Sequence, residues 1–351
     1  MKRVKLGIIG CGVIGSHHLK AAAACEQIEL AAVADLREEV ARRAAEQYGV
    51  PQAYTDGMAL IADPAVEAVV IAMPAKGRAE LGVAAFERGK HVLTEKPVAR
   101  NAGEVERLLA AQGAQVGACC SSRHRFLPSA DVAAELVASG RLGRIRSVYC
   151  RNFSPAGPPP KQMPPAWRLN KELQGGGLLV NWGCYDLDYL LGILNWAPRP
   201  ETVMAQTWGV PPAQQAYVPP GSDAETHYAA LIRCEGGLAL HIERGEMMMT
   251  APEASWQIIG EQASLRLNML PGAEHPVILD EWSTGRGLVS QPIPCAAGSW
   301  EVVHAGPVQD FAAAILSRRL PKTTLEQALL VQRITDAIYA SAAEGRAITW
   351  R

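Results

Sequence analysis

The residues of this chain best suited to moving a proton are a tyrosine on a glycine-led helix and a lysine that follows a short apolar run. Tyr185 lies in Gly175-Gly176-Gly177-Leu178-Leu179-Val180-Asn181-Trp182-Gly183-Cys184-Tyr185-Asp186-Leu187-Asp188. Helical periodicity places Asn181, Tyr185 and Asp188, spaced i, i+4 and i+7, on one face. Two explanations fit such a face. It is the wet side of a helix with Tyr185 half buried, or it gathers hydrogen-bonding groups around a tyrosine that exchanges protons. An unperturbed tyrosine has a pKa of about 10, so proton exchange near neutrality needs a neighbouring cation to favour the phenolate. Lys96 is the candidate. It follows His91-Val92-Leu93-Thr94-Glu95 and precedes Pro97, which cannot continue a central strand. At the carboxyl end of a parallel strand a lysine points toward the ligand crevice. A solvated loop cation is the commoner fate of lysine.

A third group of residues would hold a ligand rather than transform it. The run Lys5-Leu6-Gly7-Ile8-Ile9 ends in Gly10-x-Gly12-x-x-Gly15, with Val13 and Ile14 inside the motif, and an Ala-rich helical segment follows. In a strand–turn–helix, Gly10 makes the tight turn, Gly12 lets backbone approach a pyrophosphate, and Gly15 packs helix against strand. The phosphates would sit on the helix N-terminal N–H groups. Asp35 ends the next apolar run, twenty residues after Gly15. An acid there hydrogen-bonds the adenosine ribose and repels a 2′-phosphate, which favours NAD; Arg37, two residues on, offsets that repulsion and keeps NADP as the alternative. A helix N-cap is the plainer role for Asp35, and one residue can serve both. Ala72-Met73-Pro74 and Glu95-Lys96 complete the expected cofactor contacts, since open α/β sheets place ligands at the carboxyl ends of their strands.

These residues need a scaffold of successive βα units. Strands are expected at 4–9, 28–34, 67–72, 91–94 and 115–120, with helices at 14–25, 36–48, 76–88 and 101–112 between them, which describes a Rossmann-type parallel sheet covered on both faces. The composition changes around 121–145, and the expected boundary separates a dinucleotide-binding domain, 1–125, from a second domain, 126–351. There the patches 144–153, 201–208, 226–234, 237–244, 254–260 and 263–269 read as strands without intervening helices, so an open-faced, mainly antiparallel sheet is expected. Residues 154–165 are too rich in proline for regular structure and suit a binding loop or lid, or else a disordered segment. Helices are expected at 308–318 and 324–344, the latter packing back on the first domain.

Composition narrows the function classes. The chain has 351 residues, 48% hydrophobic and 20% charged, with a formal net charge of -1. That balance gives no electrostatic reason to expect nucleic acid or an anionic membrane as partner, and no apolar run is long enough to span a bilayer. Lys2 and Arg3 before an apolar run imitate a signal peptide, but three glycines and His17-His18 interrupt it. The eight cysteines include no Cys-x-x-Cys pair, so neither a zinc site nor a disulfide framework is expected, and a reducing cytoplasm is the default.

Taken in order, the glycine motif, Gly89-Lys90-His91-Val92-Leu93-x-Glu95-Lys96-Pro97, Arg125-Phe126-x-Pro128, Trp167-Arg168 ahead of the triple glycine, and the tail Ile338-Tyr339-x-Ser341-Ala342-x-Glu344-Gly345 resemble the Gfo/Idh/MocA oxidoreductases, the family of glucose–fructose oxidoreductase and inositol dehydrogenase. The resemblance spans nearly the whole chain. It implies a Rossmann domain, a second domain whose open sheet forms homodimers or homotetramers, and NAD(P)-dependent hydride transfer at a carbinol carbon of a sugar, cyclitol or related polyol. Lys96 matches the family lysine that contacts substrate and assists proton transfer, commonly before a cis-proline. Asp188 matches an acid that binds substrate hydroxyls.

Three departures stand out. Asn181 and Tyr185 occupy the places of the usual Asp and His, and the tyrosine resembles the glucose–fructose oxidoreductase and dihydrodiol dehydrogenase branch, where it is the acid/base. Arg78 stands where a histidine is usual, which leaves the contact on that side open. Trp167, Arg168, Asn181 and Asp188 would line the pocket beside Lys96 and Tyr185, the tryptophan stacking on a sugar face. Two rivals remain on this reading: an NAD-dependent glycoside hydrolase that oxidises its sugar transiently, and a non-catalytic dinucleotide sensor, which needs neither Lys96 nor Tyr185.

Overall fold

The structure, a computed structural model, describes residues 2–350. The chain begins with β1 (Val4–Ile9), α1 (Val13–Ala23), β2 (Ile28–Ala34), α2 (Glu38–Tyr48), β3 (Gln52–Tyr54), α3 (Gly57–Ala62), β4 (Ala68–Ile71), α4 (Arg78–Glu87), β5 (His91–Thr94), α5 (Ala102–Gln112) and β6 (Gly117–Cys119). It continues through α6 (Pro128–Ala138), β7 (Ile145–Pro155), α7 (Lys171–Gln174), α8 (Cys184–Ile193), β8 (Pro200–Trp208), β9 (His227–Cys234), β10 (Ala239–Met248), β11 (Glu253–Gly260), β12 (Ala263–Leu267), β13 (Val277–Ser283) and β14 (Gly287–Pro292). The last elements are α9 (Trp300–Ser317), α10 (Leu325–Glu344) and β15 (Ile348–Thr349). Two compact units result: Met1–Arg123 with Trp300–Gln332, and His124–Ser299 with Arg333–Arg351.

The first unit is a six-stranded sheet in the order β3-β2-β1-β4-β5-β6, every pair parallel. Its central strands read as unbroken apolar runs because helices cover both faces: β4 is Ala-Val-Val-Ile and buried throughout. On one face Val4, Leu6 and Ile8 pack with Leu19 of α1 and with Val308 and Phe311 of α9. On the other, Ile9, Val69 and Ile71 pack with Phe86, Leu108, Leu325 and Ala328. The strand order reverses at β1, so the turns after β1 and β4 flank the switch point where such sheets bind ligands.

The second unit is built on a nine-stranded sheet, β14-β13-β12-β11-β7-β10-β9-β8-β15. It is antiparallel except between β7 and β10. Side chains alternate as a one-sided sheet requires: Val148, Cys150, Tyr228, Ile232, Leu240, Ile242, Trp256 and Ile258 are buried, whereas Tyr149, Met204 and Leu231 are exposed.

Several elements differ from the sequence expectation. The second domain is not continuous over 126–351, because Trp300–Gln332 belongs to the first unit. Helix α9 starts at Trp300 rather than 308 and carries Pro307 in its interior. The strands β3, β13, β14 and β15 and the helix α3 lie where no element was expected. Residues 154 and 155 extend β7, and only the remainder of the proline-rich stretch is irregular.

Candidate active site

At the turn after β1 the three glycines of the motif have different surroundings. Gly10 adopts φ +91°, a region that suits glycine, and a Cβ there would overlap the Ala72 carbonyl. A Cβ on Gly15 would overlap the Gly10 carbonyl, so α1 can approach the turn only without one. Gly12 differs: a Cβ there would meet nothing within 4 Å. The first and third glycines are thus consumed by the fold, and the second leaves room in front of the N-terminus of α1, an anion-binding position. Asp35 closes the turn from β2. Its Oδ2 accepts from Cys11 N at 3.0 Å, its Oδ1 from Arg37 N at 3.0 Å, and the Arg37 Nε lies 3.6 Å away. The Asp35 side chain keeps 12% of its surface exposed. Val13 and Leu36 are exposed apolar side chains, Ile14 is half-buried, and Met73 and Pro74 follow β4. This arrangement fits a dinucleotide.

Lys96 follows β5, is half-buried, and forms a cis peptide bond with Pro97. Its N–H donates to Glu95 Oε2 at 3.0 Å. Glu95 was expected among the cofactor contacts; its carboxylate instead belongs to the interior. Oε1 meets His18 Nε2 at 2.8 Å and accepts from the Arg123 guanidinium, whose other Nη meets His304 Nδ1 at 3.1 Å. Burial and then Arg123 push His304 down to about 4, so it is neutral and accepts that hydrogen bond. Burial alone would push the Glu95 carboxyl up; Arg123 and His18 outweigh it and hold it well below the usual carboxylate range. His18, Glu95 and Cys120 bring metal-type donor atoms within 4.8 Å of one another, but Arg123 already supplies the positive charge on that carboxylate. Arg78, left open by the sequence, is buried too. Its guanidinium donates to the carbonyls of Met73, Glu95 (2.8 Å) and Pro97.

The helix that carries Tyr185 begins as a π-helical turn over Leu179–Gly183 and continues as α8. Such turns recur at functional sites. Glu225 holds its start: Oε1 accepts from Leu179 N at 2.9 Å and from Tyr339 Oη at 2.8 Å, and Oε2 from Gly177 N at 3.0 Å. A Cβ on Gly177 would overlap the Glu225 backbone, which accounts for the last glycine of the triplet. The expected wet face does not exist, because every residue from Cys184 to Leu191 is buried. Its acids are neutralised pairwise. Asp186 takes a two-pronged bond from Arg244 at 2.8 Å and another from Trp256 Nε1 at 3.0 Å. Asp188, fully buried, accepts from Arg125 Nε at 2.6 Å. Where a substrate contact of Asp188 was expected, the structure places an ion pair with Arg125. A carboxylate with no exposed surface and an arginine on it holds the fold together.

Around Tyr185 the structure places groups that spacing did not reveal. The His124 ring meets it edge-on at 5.0 Å and Trp182 at 5.7 Å. His124 Nδ1 lies 3.2 Å from the Met269 carbonyl, so that nitrogen carries the proton. Arg244 lies 5.0 Å over the Trp182 ring. Asn181 sits half-buried in the π-helical turn. Trp167 is 40% exposed on a short 3-10 turn, and its neighbour Arg168 donates to Glu246. In the sequence, His124 and Arg125 stand in the polar run Ser121–Arg125, which reads as a boundary, and Arg125 also opens the Arg125-Phe126-x-Pro128 motif; nothing local reports their partners 145 and 63 residues away.

Comparison with known proteins agrees with this geometry. Residues 4–121 match the model of an oxidoreductase family with an NAD-binding Rossmann fold, and residues 131–266 match the C-terminal domain model of the same family. Levoglucosan dehydrogenase of Pseudarthrobacter phenanthrenivorans is 30% identical over 207 residues, 55% of this chain and 52% of that protein. The chain thus spans about half the length of that relative. D-xylose 1-dehydrogenase (NADP(+)) 2 of Haloferax volcanii is 29% identical over 351 residues, covering 97% of this chain and 98% of its own. A solved structure of levoglucosan dehydrogenase in complex with NADH superposes with a TM-score of 0.84 at 22% identity, over 99% of both chains. The chain belongs to the Gfo/Idh/MocA oxidoreductase family, with an NAD-binding Rossmann domain at its N-terminus.

Proposed function

We propose that the protein is an NAD-dependent dehydrogenase that oxidises a secondary hydroxyl of a sugar, cyclitol or related polyol, with Tyr185 as acid/base and Lys96 as the assisting cation. The observation that carries the reading is a cofactor turn built for a dinucleotide in a chain that also retains both proton-handling side chains. The nicotinamide supplies the hydride acceptor when the cofactor is bound. Tyr185 Oη takes the hydroxyl proton, and the Lys96 ammonium favours the phenolate that does so. Asn181, Trp167 and Arg168 bind and orient the polyol. The named relatives act on levoglucosan and D-xylose, which supports the substrate class without choosing a member. Asp35 favours NAD, and NADP is the alternative because Arg37 adjoins it.

The same reading assigns a homo-oligomer, dimer or tetramer, through the exposed sheet face. Met204, Leu231, His241 and Tyr149 lie side by side across four strands, a mainly apolar row of the kind that covers itself with a second copy. It also assigns no nucleic-acid or membrane partner and a place in a reducing cytoplasm. The near-neutral charge and eight cysteines that form no disulfide support this, and among the described residues no helix is long and apolar enough to cross a membrane.

The test is a screen of sugars, cyclitols and sugar acids by NADH and NADPH absorbance. Tyr185→Phe is expected to lower turnover on the substrate found by about 10²–10⁴-fold, the usual contribution of a general acid–base group. Near-normal turnover removes Tyr185 from the mechanism. Release of an aglycone without net NADH would overturn the dehydrogenase in favour of the hydrolase.

A further inference from the structure

The backbone of Lys96 is gripped on both sides by buried ionised side chains. Its N–H is bound by Glu95 Oε2, and Glu95 is itself fixed by His18 and Arg123. The carbonyls immediately before and after Lys96, those of Glu95 and Pro97, both accept from Nη1 of Arg78, while Nη2 reaches the carbonyl of Met73. Arg78 opens α4 and is 2% exposed. A buried guanidinium is costly to desolvate, and this one is directed at main-chain oxygens. Only a forked donor can do this. Guanidinium carries five N–H groups in a fixed plane, a lysine ammonium is a point charge, and a neutral imidazole has one N–H to give.

We propose that Arg78 is a positioning residue: it ties the Glu95–Pro97 backbone to the turn after β4 and so fixes where the Lys96 side chain starts. The proposal rests on the dehydrogenase reading for its kinetic consequence, but not for the clamp itself. It gives the departure at position 78 a role distinct from a cofactor or substrate contact. Displacing a catalytic group by about 1 Å costs on the order of 10²-fold in rate, so the clamp acts on turnover rather than on affinity.

The experiment compares Arg78→Met and Arg78→Lys with the parent protein by turnover, KM, NAD affinity from fluorescence titration, and hydrogen exchange of the peptide spanning residues 94–98. Both variants are expected to lose about 10²-fold in kcat, with NAD affinity little changed and exchange raised at 94–98 but not in β4 or β5. Guanidinium ion added at millimolar concentration to Arg78→Ala should restore part of the lost kcat. Should Arg78→Met not fold, Arg78→Lys, which keeps the charge and most of the volume, carries the comparison. Unchanged kcat in a folded variant overturns the proposal. So does NAD affinity that falls in step with kcat/KM while exchange at 94–98 stays as in the parent, because that marks Arg78 as a cofactor contact. If the parent oxidises no polyol yet the variants show the local rise in exchange, the clamp stands and the dehydrogenase reading fails.

Discussion

Glu95 and Glu225 are each 3% exposed, and each accepts hydrogen bonds from the backbone of a segment bearing a candidate catalytic side chain. Their electrostatics are opposite. Glu95 meets charge: Arg123 and His18 overcome the effect of burial and hold its carboxyl well down. Glu225 meets dipoles: burial pushes its carboxyl up, and the N–H groups of Leu179 and Gly177 and the Tyr339 hydroxyl offset only part of that. The comparison shows two ways of anchoring a site from beneath. An ion pair supplies strength and depends on both partners. A carboxyl bound to N–H and O–H groups depends on any one of them less, and it tolerates a proton.

The largest effect that should separate the two comes from removing the Glu95 side chain. Glu95→Ala takes the carboxylate away from a buried arginine, and breaking a buried ion pair by deleting one partner costs about 3–5 kcal/mol. Urea unfolding followed by circular dichroism should show a lower midpoint with an unchanged slope. A loss below about 1 kcal/mol, the value of an exposed pair, would show that Arg123 and Glu95 are not buried together in solution, and the contrast with Glu225 would collapse.

How much of this was legible beforehand follows from where each signal resides. The strands β1, β2, β4 and β5 were readable because a parallel strand covered on both faces is a local apolar run. The hairpin β13–β14 was not, since β14 is exposed along almost its whole length and offers no period. Gly10, Gly12 and Gly15 could be assigned separate roles because those roles are set by a six-residue turn. Glu95 could not: its partners are 77 and 28 residues away, and Glu225 reaches Tyr339 across 114. The same blindness made the Tyr185 helix look half wet. Asp186 and Asp188 imply solvent until Arg244 and Arg125, 58 and 63 residues distant, are seen to neutralise them.

Smaller effects are expected at Glu225. Glu225→Gln keeps an oxygen to accept from Leu179 or Gly177 and leaves no buried cation behind, so the loss should be about 1 kcal/mol, the net worth of a hydrogen bond. A loss as large as that of Glu95→Ala would mean that the carboxyl at position 225 also works through charge. The smallest effect, and the sharpest in sign, is the pH dependence of stability. A carboxyl held low when folded contributes stability that is present above its unfolded pKa, about 4.3, and is lost as pH falls toward the folded value. A carboxyl held high contributes stability that is present below about 4.3 and is lost as pH rises through its folded pKa. The difference in unfolding free energy between parent and Glu95→Gln should therefore shrink as the solution is acidified. That between parent and Glu225→Gln should shrink as it is made alkaline. Parallel slopes in the two difference plots would show that the two glutamates are anchored by the same physics after all.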